Sequence, residues 1–176
     1  VEAGLRGGRD GAMLVVVNHR PEAQEATVTL HRPDLTWFVD MATSEEIPVA
    51  SAGDSVLLRL TVPGRWARVL VGYGRRPAGV SLEVEDRHLA RGGELHYRVR
   101  VKGGFRKTAL GGILIKATVT GPDGRDVVRL GGARAPLGGV VQLGGTIPVN
   151  AVRGRYEVAV TLPQIGKTQR KTFVVE

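Results

Sequence analysis

Four serines, four histidines and a scatter of carboxylates are the groups in this 176-residue chain that could do chemistry, and their spacing decides which chemistry is open. Ser44, Ser51, Ser55 and Ser81 lie outside any Gly-x-Ser-x-Gly segment and no histidine stands near them in sequence, so the turn that exposes a nucleophilic serine is not encoded. His19, His31, His88 and His96 never form His-x-His or His-Glu-x-x-His, and no second ligand type stands at a metal-binding spacing, so surface or edge positions and no metal site are expected. Gly72, Gly74 and Gly79 miss the Gly-x-Gly-x-x-Gly spacing, and no cofactor site follows. Cysteine is absent, which excludes thiolate catalysis, disulfides and cysteine-bound zinc.

Glycoside cleavage needs two carboxylates about 5 to 10 Å apart in a cleft. Asp40, Glu45 and Glu46 cluster around one turn, which reads as a solvated turn. The functional alternatives are contact with a catalytic domain or a weak calcium site, which would want more oxygens than the turn supplies. No catalytic residue is assigned, and the chain is expected to be non-catalytic.

Binding surfaces are the other class of chemistry these residues could serve. Sugar-binding modules present flat aromatic rings, and only eight aromatics are available. Tyr97, Tyr156 and Phe173 fall in phase with apolar strand faces and are expected in a core, which leaves Trp37 and Trp66 as candidates for a carbohydrate platform. The segment from Glu94 to Lys102 alternates Leu95, Tyr97, Val99 and Val101 with His96, Arg98, Arg100 and Lys102, and Arg106 and Lys107 follow in the next loop. A strand would carry these cations on one face. Two readings stay open: a solvated face that protects a sheet edge, or a surface for an acidic partner or polyanionic glycan. Nucleic acid is the lesser option, since no recognised nucleic-acid motif accompanies the charge.

The elements that position these groups are strands. Met13 to Asn18 is a compact apolar run; Ala26, Val28 and Leu30 alternate with polar residues; Trp37 to Met41 and Ile47 to Val49 flank Thr43-Ser44-Glu45; Val56, Leu58, Leu60 and Val62 again alternate, before Pro63-Gly64 and a closing strand at Ala67, Val69 and Val71. Val1 to Leu5 is a possible opening strand. Beyond Gly79 the same period resumes at Val80 to Val84, Leu95 to Val101, Ile113 to Val119, Val127-Val128 after Gly121-Pro122-Asp123-Gly124, Val140 to Leu143, Thr146 to Val149, Tyr156 to Leu162 and Thr172 to Val175. Six of the seven Gly-Gly pairs fall in this half and read as turns. No stretch carries helical periodicity.

Gly74-Arg75-Arg76-Pro77-Ala78-Gly79 interrupts the pattern, and the charge balance reverses across it. Residues 1 to 74 hold seven arginines and nine acids, a balance of −2; residues 75 to 176 hold 18 Lys+Arg and eight acids, a balance of +10, and the two together make the net +8. An all-β chain of two tandem, immunoglobulin-like β-sandwich domains is therefore expected, 1 to 74 and 80 to 176, with a linker at 75 to 79. The longest apolar run, Ala12 to Val17, is strand-sized, so no membrane insertion is expected. The chain starts at Val1 without a basic-then-apolar leader, so it reads as a fragment whose targeting lies elsewhere; compartment stays open, with a secreted or cell-surface setting favoured.

Through Leu14-Val15-Val16-Val17-Asn18-His19, Ala26 to Leu30, Val39-Asp40 before Thr43-Ser44-Glu45, and Leu60-Thr61-Val62-Pro63 with Arg68-Val69-Leu70, residues 1 to 73 resemble the C-terminal β-domain of glycoside hydrolases, in which a Thr-Gly-Glu-like turn follows the aspartate strand; Ser44 stands here in place of that glycine. Through Arg91-Gly92-Gly93-Glu94-Leu95, Ala117 to Gly124 and Gly154-Arg155-Tyr156-Glu157-Val158, residues 79 to 176 resemble bacterial immunoglobulin-like or macroglobulin-like sandwich modules. The resemblance implies an accessory region of a larger bacterial protein, a glycoside hydrolase first, whose partners are the other domains of that protein and a polysaccharide or acidic surface. The alternative is a tandem from a cell-surface or periplasmic adhesion protein with no enzyme attached.

Overall fold

The computed structural model of the chain describes residues 1–8, 11–103, 113–136 and 138–176. These fall into two compact units, Val1–Pro77 and the described residues from Ala78 to Glu176. Both are all-β. Among the described residues the regular elements are strands apart from two three-residue 3-10 turns, Val128–Leu130 and Pro163–Ile165.

The first unit contains β1 (Glu2–Gly8), β2 (Gly11–Asn18), β3 (Gln24–Leu30), β4 (Trp37–Asp40), β5 (Glu46–Ile47), β6 (Val49–Ala52), β7 (Ser55–Val62) and β8 (Trp66–Tyr73). They form a five-stranded sheet in the order β1-β2-β8-β4-β5 and a three-stranded sheet in the order β3-β7-β6, every described pairing antiparallel. The sheets face one another because each presents an apolar stripe: Leu14, Val16, Phe38 and Leu70 from the larger, Val28, Leu30, Leu58, Leu60 and Val62 from the smaller. Burying one such side chain contributes roughly 1.5–3 kcal/mol, so the period-two pattern fixes which face turns inward. Gly72 is required where the ring of Phe38 crosses it, since a Cβ there would run into that ring.

The second unit contains β9 (Gly79–Val84), β10 (His88–Leu89), β11 (Glu94–Lys102), β12 (Ile115–Thr120), β13 (Gly132–Arg134), β14 (Val140–Thr146), β15 (Gly154–Leu162) and β16 (Lys167–Val175). Its sheets run β14-β11-β9 and β10-β16-β15-β12-β13. The chain leaves the first sheet at β9 and joins the second at β10, which pairs parallel with β16 while the other pairings are antiparallel. This is an immunoglobulin-type sandwich whose opening strand switches sheets. Leu95, Tyr97, Val99 and Val101 face Ile115, Ala117, Val119, Val158, Val160 and Phe173 across the core, all buried. The hydroxyl of Tyr97 donates to the carbonyl of Leu130 at 2.6 Å, and burial pushes its pKa up to about 12.

Four details depart from expectation. The hairpin at Gly121-Pro122-Asp123-Gly124 closes, with Thr120 bridged antiparallel to Asp126 and Val127 N–H on Val119 O, but no strand follows it: Val128 opens a 3-10 turn and is 84% exposed. No strand covers 147–149, because β14 ends at Thr146 and the chain turns at Pro148–Ala151. Gly144-Gly145 is not a turn but the end of β14 opposite Leu95 and His96, where a Cβ on Gly144 would strike the Leu95 carbonyl. The short edge strands β10 and β13 are too brief to carry a readable period.

Candidate functional site

The carboxylate turn of the first unit is built around a cation that sequence reasoning did not single out. Asp40 ends β4 and is only 2% exposed. Its Oδ1 accepts from the amides of Ala42 and Thr43 at 2.8 and 3.1 Å, which folds the chain back on itself. Arg68, from neighbouring β8, donates from Nε to Asp40 Oδ2 at 2.7 Å and from a terminal nitrogen to Glu45 at 2.6 Å. Glu46 is engaged separately by Arg76. The turn is therefore not a solvated acidic cluster: each carboxylate has an arginine, and at Asp40 the pair is buried. Burial opposes ionisation of Asp40, but the hydrogen bonds from Arg68 and the two amides outweigh it and hold the carboxyl below its usual range. Arg68 was legible in principle, as a lone charge in phase with Leu70 on the core face of an apolar strand.

Ser44 adopts φ +61°, a left-handed conformation that a glycine would take without strain. Asn18 is the second buried polar anchor, 1% exposed. Its amide donates to Glu22 O, Val62 O and Pro63 O at 2.7, 3.1 and 3.2 Å, and its carbonyl accepts from Arg20 N–H at 3.0 Å. One side chain thereby ties the turn after β2 to the turn after β7. Gly64 is forced in the same place, since a Cβ would collide with Pro21 O.

The two tryptophan candidates part company. Trp37 is 6% exposed and stacks on Tyr73, ring centroids 5.7 Å apart at 28°, so it offers no face to a sugar. Every residue of β4 is buried, which is why its phase could not be read. Trp66 is 65% exposed and stands at the rim of an open hollow of about 910 Å³ lined also by Val17, His19, Met41, Arg65 and Val69. Arg65, the residue before it, has φ +51°.

Strand pairing also creates a contact invisible in sequence. Because Leu30 lies opposite Val56, His31 Nδ1 comes to 2.9 Å from Ser55 Oγ, which donates to Asp54 Oδ1 at 3.1 Å. Ser55 is 5% exposed, so no substrate reaches it. Elsewhere His19 faces Glu2 and His88 faces Glu176, both pairs exposed, and among the described residues no group of three acids or histidines could hold a metal ion.

In the second unit β11 alternates strictly, burying Leu95, Tyr97, Val99 and Val101 and exposing His96, Arg98, Arg100 and Lys102. The three cations therefore share one solvent face. Arg98 lies opposite Glu83 of β9 and Gln142 of β14, and Arg100 opposite Ser81 and Val140. None of the three side chains makes an ion pair among the described residues. Arg106 and Lys107 lie outside the described residues.

No protein-family model matches the sequence, and no curated protein matches it. Among solved structures the chain is similar to the adhesin InvE of Yersinia pseudotuberculosis (11% identity, TM-score 0.40, covering 96% of this chain and 55% of that one), to a DUF4785 family protein of Legionella pneumophila (11%, 0.38, 93% and 56%) and to a β-glucuronidase of Parabacteroides merdae (10%, 0.38, 94% and 28%). The chain spans about half the length of the first two and about a quarter of the third. At this level of likeness no shared function follows.

Proposed function

We propose that this chain is a non-catalytic accessory region of a larger multidomain protein, a carbohydrate-active enzyme first, and that its first unit docks on a neighbouring domain by the outer face of the five-stranded sheet. One observation carries the reading. The solvent face of an antiparallel sheet is normally polar, yet β2 turns Met13, Val15 and Val17 outward and β8 turns Ala67 and Val69 outward beside them, with Met13 42% exposed and the other four half-buried. A contiguous exposed apolar surface of this kind marks an interaction site. The resemblance of residues 1 to 73 to a glycoside-hydrolase β-domain supports the nature of the neighbour, and the arginine-bound acids at 40, 45 and 46 support a role without catalysis.

Hydrogen exchange on the full-length protein against the isolated chain tests the docking: amides of 13–17 and 66–69 should exchange more slowly in the full-length protein. Equal exchange sinks it. Turnover of aryl glycosides by the isolated chain, abolished by mutating one of its acids, would overturn the non-catalytic part. The second reading, an adhesion-type tandem, predicts further sandwich repeats in the full-length gene where the first predicts a barrel-sized segment with acids at strand ends.

A further inference from the structure

The strand switch between β9 and β10 opens a groove of about 590 Å³ against β16, lined by Glu83, Arg87, His88, Arg155, Lys171 and Thr172 together with apolar floor residues of those strands. Three permanent cations reach it from three different segments: Arg87 from the turn before β10, Arg155 from β15 and Lys171 from β16, all exposed. Arg87 and Lys171 have no ion pair among the described residues, and Arg155 only donates to Thr172 Oγ1 at 3.3 Å. His88 is occupied by Glu176 at 3.1 Å. Glu83 is the one carboxylate on the groove wall, and it lies in register opposite Arg98. The groove and the row Arg98, Arg100 and Lys102 thus lie on either side of β9, about one strand spacing of 4.8 Å apart, and the two sets of cations flank the single carboxylate of Glu83.

We propose that the groove, with the row on β11 as a second contact beyond Glu83, binds a linear acidic polysaccharide bearing carboxylate or sulfate groups. Like charges held within a Debye length of about 8 Å repel, and a polyanion removes that repulsion while arginine forks pair with its planar oxyanions. Two cation sets on either side of one strand suit successive anionic groups along a chain rather than a compact acidic protein. Nucleic acid fits less well, since its bases would need aromatic platforms and every described aromatic ring of this unit, Tyr97, Tyr156 and Phe173, is buried. The ligand's being a polysaccharide rests on the accessory reading above; the position of the anion site does not.

Affinity of the whole chain for polygalacturonate, dextran sulfate, neutral dextran, polyglutamate and single-stranded DNA should be measured at low and physiological salt. The expected result is binding to one or both acidic polysaccharides, none to neutral dextran, and steep weakening with salt. Changing Arg87, Arg155 and Lys171 together to Ser should reduce affinity roughly tenfold or more, whereas Arg6, Arg20 and Arg59 changed to Ser, an equal loss of charge in the first unit, should leave it within about twofold. Arg87→Lys with Arg155→Lys should retain most of it. If the triple variant melts early, Lys171→Glu alone, an exposed change with no partner to lose, should weaken binding severalfold. Wild-type-like binding by the groove variants overturns the site. Tighter binding of polyglutamate or DNA at equal charge overturns the polysaccharide and with it this part of the accessory reading, and no binding of any anion at low salt overturns the whole proposal.

Discussion

Arg68 Nε lies 2.7 Å from Asp40 Oδ2, with the two side chains only 12% and 3% exposed, so the first unit holds an ion pair at the end of its core where the sequence shows an acidic turn. Breaking one partner of such a pair strands the other charge, at a cost of about 3–5 kcal/mol. Arg68→Ala should be lost at this scale, and Arg68→Lys should recover only part, because a lysine cannot bridge Asp40 and Glu45 with its planar fork.

The same pair sets an acid limit. The folded pKa of Asp40 is depressed, so its stabilisation is complete above the unfolded value of about 3.9 and is lost as pH falls through the lower folded value. Asp40→Asn should therefore be less stable than the wild type at neutral pH, and the gap should narrow as both are titrated below about pH 4. Urea midpoints across that range check it; a gap independent of pH would mean that Asp40 matters for shape and not for charge.

Ser44→Gly should stabilise the first unit by about 0.5–1 kcal/mol, because φ +61° costs an L-residue what glycine does not incur. The serine side chain contributes no hydrogen bond among the described residues that would be lost. A lowered midpoint would show that the turn relaxes elsewhere.

Tyr156 opens the late strand of the second unit, and its hydroxyl donates to Val152 O at 2.8 Å, four residues upstream, the tyrosine corner of Greek-key sandwiches. Tyr156→Phe keeps the ring stacked on Phe173 and leaves that carbonyl without its donor, for a loss of about 1–2 kcal/mol. Both tryptophans belong to the first unit, so the change should move the circular-dichroism transition and leave the tryptophan-fluorescence transition in place. If both move together, the two units melt as one.

Legibility tracked the physics of each element. Strands with one wet face, β7 and β11, could be placed residue by residue, because burial follows a period of two wherever a sheet covers only one side. β4 could not, since all four residues are buried and Trp37 turns out to be core. Polar anchors were invisible for a different reason: Arg68 with Asp40, Ser55 with His31, and Asn18 with Val62 are 28, 24 and 44 residues apart, and only strand pairing brings them together. The basic row on β11 was readable because it is local; the groove beside it was not, since Arg87, Arg155 and Lys171 converge only through the strand switch.

Asn18 offers the sharpest test of that non-local chemistry. Its amide faces three carbonyl oxygens and cannot be replaced by any group that lacks donors. Asn18→Ala leaves those acceptors unpaired in a buried place and should cost about 2–3 kcal/mol. Asn18→Asp is nearly isosteric but sets a carboxylate against the three oxygens, so its ionised form is penalised twice, by burial and by repulsion. The folded pKa of the introduced acid should therefore rise above the unfolded value of about 3.9. A raised folded pKa means that the protonated acid, which can donate to one carbonyl, is the form the fold tolerates. Its contribution is fully present below the unfolded pKa and is lost as pH rises through the folded one. The Asp variant should then be far less stable than the Ala variant at pH 7 and approach or exceed it on acidification to about pH 4, which is the opposite trend to that of Asp40. Denaturation midpoints of the two Asn18 variants across this range decide the matter, and parallel curves would mean that the pocket around Asn18 opens to water and satisfies its carbonyls without the side chain.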